Sequence, residues 1–347
     1  LREELISALE VIRPGLTTSD PREQTSHFVF TKKGIYTYND DISIFISFVG
    51  LGEFSVKASD LYKILIKLPE KFIEIEVFKT KINIKSVSSK VSLKPLSEAQ
   101  SKSTQNPKIE KEWKKLKVHK IDEWKILPSN FREGLKLCQF SASKDINSGT
   151  LVCVYVVGNK IYSTDRTRVS RYKMKLKMED NLLIPAKYVD ELVKADIQYY
   201  STDGSWAHFK TKEGGIFSVR VFSGEFLDCE KHFGAEGETF ILPSNIKDVI
   251  DSVEVMTDGP DKVTRTGIEI KIFDGEIFCK AEKSTGEIER NIDIDYAGDP
   301  VEFLINPAFF SQVLEKGAMK MTVIGASKLE FSTKNFTHIM AQKVRID

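Results

Sequence analysis

The sequence predicts an α+β fold built from three repeated units, each running helix, strands, helix, strands. Three observations predict it. The pentapeptide Ile126-Leu127-Pro128-Ser129-Asn130 recurs as Ile241-Leu242-Pro243-Ser244-Asn245, 115 positions further on. A second landmark, Ile184-Pro185-Ala186-Lys187-Tyr188-Val189, is matched by Ile305-Asn306-Pro307-Ala308-Phe309-Phe310. A hairpin-like core appears three times, as Lys33-Gly34-Ile35-Tyr36, Asn159-Lys160-Ile161-Tyr162 and Gly275-Glu276-Ile277-Phe278. Self-similarity with the same order of flanking elements is the signature of a repeated architecture.

The first unit covers 1–95. Its opening helix carries Leu1, Leu5, Ile6, Leu9 and Ile12, spaced three and four apart so that they share one face. Ser59-Asp60 caps a second helix, with Leu61, Ile64, Leu65 and Leu68 as its buried stripe, and strands follow from Ile73 to Leu93. Residues 96–118 form a linker. Ser97–Pro107 is polar and Ser/Gln-rich, and the lysines of Lys108–Lys120 are interrupted by Trp113, Leu116 and Val118, as on a solvated edge. The second unit covers 119–232. A short strand, Asp122–Ile126, leads through the capping residues Ser129 and Asn130 into a helix with Phe131, Leu135 and Cys138 on one face. Its second helix carries Val189, Leu192 and Val193, and strands run from Ile197 to Phe222. The third unit, 233–347, repeats the plan. Glu238–Ile241 is the strand, Ser244 or Asn245 the cap, and Ile246, Val249, Ile250 and Val253 the stripe. Pro307 suits the first turn of the last helix, whose stripe is Phe310, Val313 and Leu314, and Met319–Val344 supplies the closing strands.

Composition narrows the function. The 347 residues are 41% hydrophobic and 29% charged, enough for two or three domains with cores of their own. Lys and Arg number 51 against 50 Asp and Glu, a net charge of +1. That excludes a grip on nucleic acid by bulk charge and leaves open charge sorted onto one face. No apolar run is long enough to span a membrane. Leu1–Arg13 is charged and amphipathic, unlike a signal peptide, and a start without Met points to a trimmed or partial N-terminus. Cys138, Cys153, Cys229 and Cys279 are scattered with no C-x-x-C, which suits reduced thiols in the cytoplasm.

The catalytic motifs are missing: no phosphate loop, dinucleotide fingerprint, H-E-x-x-H or G-x-S-x-G occurs, and His27, His119, His208, His232 and His338 are far apart. Asp40-Asp41 reads as a turn. The best acidic constellation is Asp293-Ile294-Asp295 with Asp299 nearby. Alternate carboxylates on one strand face have the chemistry to hold Mg²⁺. Ile292 and Ile294 alternate with them, however, as in a half-buried strand with a wet outer face. The expectation is a binding or structural protein, not an enzyme, with no cofactor and no metal.

Leu68-Pro69 with Ile73–Leu93, Phe140-Ser141-Ala142, Ser163-Thr164-Asp165-Arg166-Thr167-Arg168-Val169, Phe217–Asp228 and Ile339–Ile346 follow one another along nearly the whole chain outside the linker. In that order they resemble the bacterial sliding clamps, the beta subunits of DNA polymerase III. The family shows A-T-D-G-H-R-L at the third stretch and F-x-S-K-L-x-x-G-x-F-P-D at the fourth. The resemblance implies a DNA clamp fold: three such domains per chain, and two chains head to tail in a six-domain ring, helices inside and sheets outside. It implies a processivity factor that encircles duplex DNA without reading sequence, tethers the replicative DNA polymerase and is placed by a clamp loader.

It also implies sites. The partner-peptide pocket, between the middle and last domains, would use Leu151, Thr164, Arg166, Arg168, Val169, Leu227, Asn306, Phe309, Met340, Val344, Arg345 and Ile346, with Arg168 and Arg345 binding peptide carbonyls or carboxylates. The pore would be lined by Arg2, Arg13, Lys63, Lys67, Arg132, Lys136, Lys144, Lys187, Lys194, Lys247, Lys316 and Lys320, several of them i,i+4 pairs opposite an apolar stripe. The homodimer interface would join Val91 and Leu93, on an edge strand, to Val255 and Met256 at a helix end. The departures are specific. The family's Gly-His is Arg166-Thr167, its Pro is Leu227, and its C-terminal Met-Pro-Met is Gln342-Lys343-Val344. They imply a divergent member, of the kind a phage with its own polymerase would encode. The rival readings are a metal-dependent nucleic-acid enzyme using Asp293 and Asp295, and a repeat-built interaction module that encircles no DNA.

Overall fold

A computed structural model describes residues 1–17, 23–96, 118–257, 259 and 266–343. Residues 97–117 of the expected linker (96–118), and the predicted pocket residues Val344, Arg345 and Ile346, lie outside the described residues.

The expected helices form. They are α1 (Arg2–Ile12), α2 (Ala58–Lys67), α3 (Phe131–Cys138), α4 (Val189–Lys194), α5 (Ile246–Glu254) and α6 (Pro307–Leu314). The apolar spacing is realised as burial: Leu5, Leu9 and Ile12 on α1, Leu61 and Leu65 on α2, and Ile246, Val249, Ile250 and Val253 on α5. Each such side chain contributes about 1.5–3 kcal/mol through loss of water contact. The helix starts are less regular than expected. α2 begins at Ala58, one residue before the expected caps, and Ser59 Oγ donates to the Asp60 carboxylate at 2.9 Å instead of serving the helix amides. Asp60 still lies in the first turn, where the helix dipole favours negative charge. Asn245 stands at the N-cap of α5 without a side-chain bond to it. Asn306 does cap α6, accepting from the Phe309 amide at 3.2 Å, with Pro307 in the first turn. Pro185 instead ends the strand Leu182–Pro185, and a 3-10 turn, Ala186–Tyr188, delays α4.

Two antiparallel sheets have eight strands each. The first runs in the order 54–57, 27–30, 34–39, 42–47, 216–220, 206–211, 197–202, 125–126, and the second in the order 182–185, 153–157, 160–164, 168–173, 336–341, 328–332, 320–324, 238–241. Both are composites of two four-stranded halves from successive repeats. Ile42–Ser47 pairs with Ile216–Arg220 at one joint, and Arg168–Lys173 with Phe336–Ala341 at the other. A four-stranded sheet (286–293, 276–283, 268–273, 301–305) and a three-stranded sheet (74–77, 82–85, 90–93) remain as separate halves.

The chain packs as two compact units, Leu1–Arg132 with Lys187–Ser223, and Glu133–Ala186 with Gly224–Asp347. In the first, an apolar cluster on one sheet face joins Tyr36, Tyr38, Phe45, Trp206 and Ile216 to Val118. In the second, the matching cluster joins Tyr162, Val169 and Ile339 to Cys229, with Phe226 and Phe233 packed against it. All four cysteines are buried free thiols. No helix among the described residues is long and apolar enough to cross a membrane.

Candidate functional site

The second unit carries a concavity of about 290 Å³ beside its sheet joint. Strand alternation puts Thr164, Val169, Ile339 and Ala341 on one sheet face, where they form its floor. The segment from Leu227 to His232 closes one side, and the hairpin residues Ser327 and Lys328 close another. Arg166 and Thr167 stand at the mouth.

The mouth is a tight three-residue loop, 165–167, between strands 160–164 and 168–173. Asp165 organises it: one carboxylate oxygen accepts from the Thr167 amide (3.0 Å), the Thr167 hydroxyl (2.7 Å) and the Arg168 amide (3.1 Å), and the other from Arg168 Nε (2.8 Å). Thr164 Oγ1 donates to the Arg168 carbonyl at 2.6 Å and accepts from the Arg166 amide at 3.0 Å. These bonds hold Arg166 at φ +77°, a left-handed conformation that costs a side-chain-bearing residue about 1–2 kcal/mol. It is the position where the clamp motif has Gly.

The segment over the cavity is pinned by Glu230. Its carboxylate accepts from Lys160 Nζ at 2.8 Å, from Arg171 at 3.1 Å and from the Tyr162 hydroxyl. Burial raises the carboxyl's pKa, but these partners outweigh it and hold Glu230 below the usual carboxylate range. Phe226 stacks on Tyr155 at 5.0 Å, and the Arg171 guanidinium sits 4.0 Å above the Phe233 ring. Burial, with Asp228 next, pushes the Cys229 thiol up to about 11, so the one cysteine in the lining is not a thiolate nucleophile at neutral pH.

Five of the expected pocket residues line this cavity: Thr164, Arg166, Arg168, Val169 and Leu227. Leu151, Asn306, Phe309 and Met340 are buried and do not line it. Arg168, expected to bind peptide, is held by internal partners in this structure. It is 5% exposed, and all three guanidinium nitrogens donate internally, to Asp165, to Gln312 Oε1 at 2.5 Å and to the Phe140 carbonyl at 2.8 Å. Its planar group lies 4.0 Å over the Phe309 ring, so Arg168 fastens the loop to α6. Sequence reading missed Thr167, Asp228, Cys229, Lys231, His232, Ser327, Lys328, Ile339 and Ala341. Residues 229–232 directly follow the Phe217–Asp228 motif and were within its reach. Lys328 reaches the site only because it pairs in register with Ala341.

The expected DNA-facing cations differ in what holds them. Arg2 donates to the Leu65 carbonyl at 3.0 Å and to that of Leu68, satisfying the last turn of α2. Arg132 does the same at the end of α4, donating to the Val193 carbonyl at 3.2 Å and pairing with Asp196. Lys247 pairs with Asp251 at 2.6 Å and with Glu315, the C-cap of α6, at 3.6 Å. These three are clasps between the paired helices of each repeat. Lys187 is held by Asp41 at 2.7 Å, and Lys194 lies 3.9 Å from Glu191. Arg13 and Lys316 lie over Tyr62 and Phe140, at 5.4 and 5.3 Å. Lys63, Lys67, Lys136 and Lys144 are exposed and make no ion pair among the described residues. Lys320 is not on the last helix, which ends at Leu314; it opens the strand Lys320–Ile324.

Val91 and Leu93 lie half-buried on Lys90–Leu93, the edge strand of the three-stranded sheet. Val255 is 63% exposed just past α5. A Cβ on Gly286, the first residue of the edge strand Gly286–Asp293, would lie 3.7 Å from Met256 Cε. Asp293 and Asp295 are exposed, and among the described residues no three His, Cys, Asp or Glu side chains gather as a metal site.

No family model and no curated protein matches the sequence. Solved structures do. The beta subunit of DNA polymerase from Streptococcus pyogenes superposes with a TM-score of 0.82 at 17% identity, over 99% of this chain and 98% of that one. The chain has the DNA clamp fold. The beta chain of DNA polymerase III from Streptococcus pneumoniae gives 0.81 at 18% identity, and a sliding clamp from Pseudomonas aeruginosa bound to griselimycin gives 0.82 at 15%, both over 99% of this chain and 98% of the other. The expected fold class therefore holds across the whole length.

Proposed function

We propose that this protein is a sliding clamp: two chains close head to tail around duplex DNA and hold a replicative polymerase on it, without catalysis. The names of the solved structures that share its fold, DNA polymerase III beta subunits and sliding clamps, support that reading. The clamp works in the reducing cytoplasm, where its four cysteines stay thiols, and a clamp loader sets it on DNA.

One observation carries the ring. Each composite sheet joins a half that ends in one hairpin to a half that ends in another, and one half of each kind is left without a partner among the described residues. Equivalent positions fix how the leftover halves would meet. Ile35, Ile161 and Ile277 of the repeated hairpin face Ile46, Tyr172 and Ile292, so Ser43, Val169 and Glu289 correspond. On the other halves, turns closed by the amides of Thr211, Thr333 and Ser86 make Ser218, Ile339 and Ser92 correspond. The two joints pair Ser43 with Ser218 and Val169 with Ile339. The same register sets Glu289 opposite Ser92 of a second chain. Leu93 then meets Ile288 on the inner face, and Lys94 meets Glu287 on the outer, with Lys90 diagonal to Glu289. Opposite charges across a strand pair add modest stability and fix the register. The predicted interface residues Val91, Leu93 and Met256 adjoin these two edges.

A closed ring needs little affinity, because topology holds it on the duplex, and a net charge of +1 suits mobile contact with phosphates. The test is retention. Protein loaded on nicked circular DNA should survive a high-salt wash and be lost when the circle is linearised. Equal loss from circular and linear DNA would contradict encirclement.

A further inference from the structure

Resting on the sliding-clamp reading, whose family resemblance implies a partner-peptide pocket at these residues, we propose that the cavity selects an acidic peptide: one aliphatic side chain inserted, with Asp or Glu on the flanking residues. The volume, about 290 Å³, is at the small end of ligand pockets, which span roughly 300–1,000 Å³. It has room for an anchor side chain, and the rest of a peptide must lie across the rim. The floor is apolar, with Val169 and Ile339 below and Leu227, 49% exposed, at the side.

The rim is cationic. Arg166, Lys231 and Lys328 line it, and among the described residues Asp228 is the only carboxylate in the lining. None of the three cations makes an ion pair among the described residues, whereas the nearby Lys160 and Arg171 are both paired with Glu230. His232 reports the resulting field. Burial, then the positive charges of Lys328 and Lys231, hold its imidazole below the ordinary value despite Asp228. Arg166 holds its charge at the mouth in a backbone conformation that favours Gly. A concave site with one sign of charge attracts and orients ligands of the other sign. The apolar floor distinguishes a peptide from a nucleic acid, whose phosphates would satisfy the rim and leave the floor uncovered.

The experiment is fluorescence anisotropy on the full chain with three labelled short peptides. They share a central leucine and carry flanking Asp/Glu, Ser/Gly or Lys/Arg. The acidic peptide should bind about tenfold or more tighter than the neutral one, with the advantage shrinking as salt rises. The double variant Lys231→Glu, Lys328→Glu, both on the rim, should reverse the order while its thermal melt stays within a few degrees of the parent. Equal binding of acidic and neutral peptides overturns the charge selection and leaves the partner site standing. Binding of none of the three overturns the site itself. Displacement of the acidic peptide by a single-stranded oligonucleotide at equal charge concentration assigns the rim to nucleic acid and overturns the proposal.

Discussion

The same place in the two eight-stranded sheets is filled in one unit and open in the other. By the registers of the two joints, Tyr38 and Trp206 of the first unit correspond to Thr164 and Lys328 of the second, and Arg220 to Ala341. In the first, Tyr38 and Trp206 pack 6.1 Å apart, and the Arg220 guanidinium lies 5.3 Å from the Trp206 ring. The space is a core. In the second, the two large rings are replaced by a hydroxyl side chain and a flexible amine, and a cavity is left. The backbone register is common to both, so the joint is set by strand pairing, and the side chains above it are free to become packing or a site. The other face differs as well. Ile42, Ile44, Phe217 and Val219 make it apolar in the first unit, whereas Arg168, Ser170, His338 and Met340 occupy it in the second. There Ser170 Oγ and His338 Nδ1 are 2.8 Å apart, and Ser141 links Ser170 to Ser163.

The largest effect should come from reversing the filled joint. Trp206→Ala should cost about 3–5 kcal/mol, because it leaves a cavity the sheet cannot collapse. Lys328→Ala, at the corresponding position, should change stability by about 0.5 kcal/mol or less. Urea titrations of both variants check this, and equal losses would mean that the two positions do not play the different parts assigned to them.

Acid should separate the units next. His338 is fully buried, and burial, then the charge of Arg168, hold its pKa well below the ordinary 6.5. His208 is also lowered by burial, but Asp203, 3.9 Å from its Nε2, opposes the shift. In both cases the unfolded imidazole binds a proton that the folded one refuses. Stability is therefore full above about pH 6.5 and falls as pH drops below it, by up to about 1.4 kcal/mol per pH unit for each histidine. Thermal melts from pH 7 to 5 should flatten more in His338→Gln than in His208→Gln. The reverse order would contradict the assignment of the acid-sensitive joint to the second unit.

Smaller still is the strain at the mouth of the site. Arg166→Gly should stabilise the chain by about 1 kcal/mol or less, since relief of the left-handed backbone is offset by the greater freedom of Gly when unfolded. A loss above about 1 kcal/mol in the same titration would show that the arginine side chain itself holds the loop.

The repeat was legible because Ile126–Asn130 and Ile241–Asn245 encode a local event, a strand turning into a helix, and local events leave marks in sequence. The clasps were not. Arg2, Arg132 and Lys247 read as cations opposite an apolar stripe, and only the pairing of helices shows that each reaches the end of a second one. Gly317, at φ +74°, is a helix-stop signal, and beyond it Lys320 opens a strand instead of extending the last helix. In the site, the loop at Thr164–Val169 and Leu227 were readable from motifs. Lys231 lay just beyond one, and Lys328 enters from a hairpin a hundred and sixty positions away, through strand register alone.

The central claim is that the two leftover half-sheets belong together in a pair of chains. Light scattering at micromolar concentration measures it directly. The account predicts twice the chain mass, lowered toward one chain by Glu287→Lys with Glu289→Lys and restored when Lys90→Glu and Lys94→Glu are added. A single-chain mass for the parent protein at every concentration would contradict it.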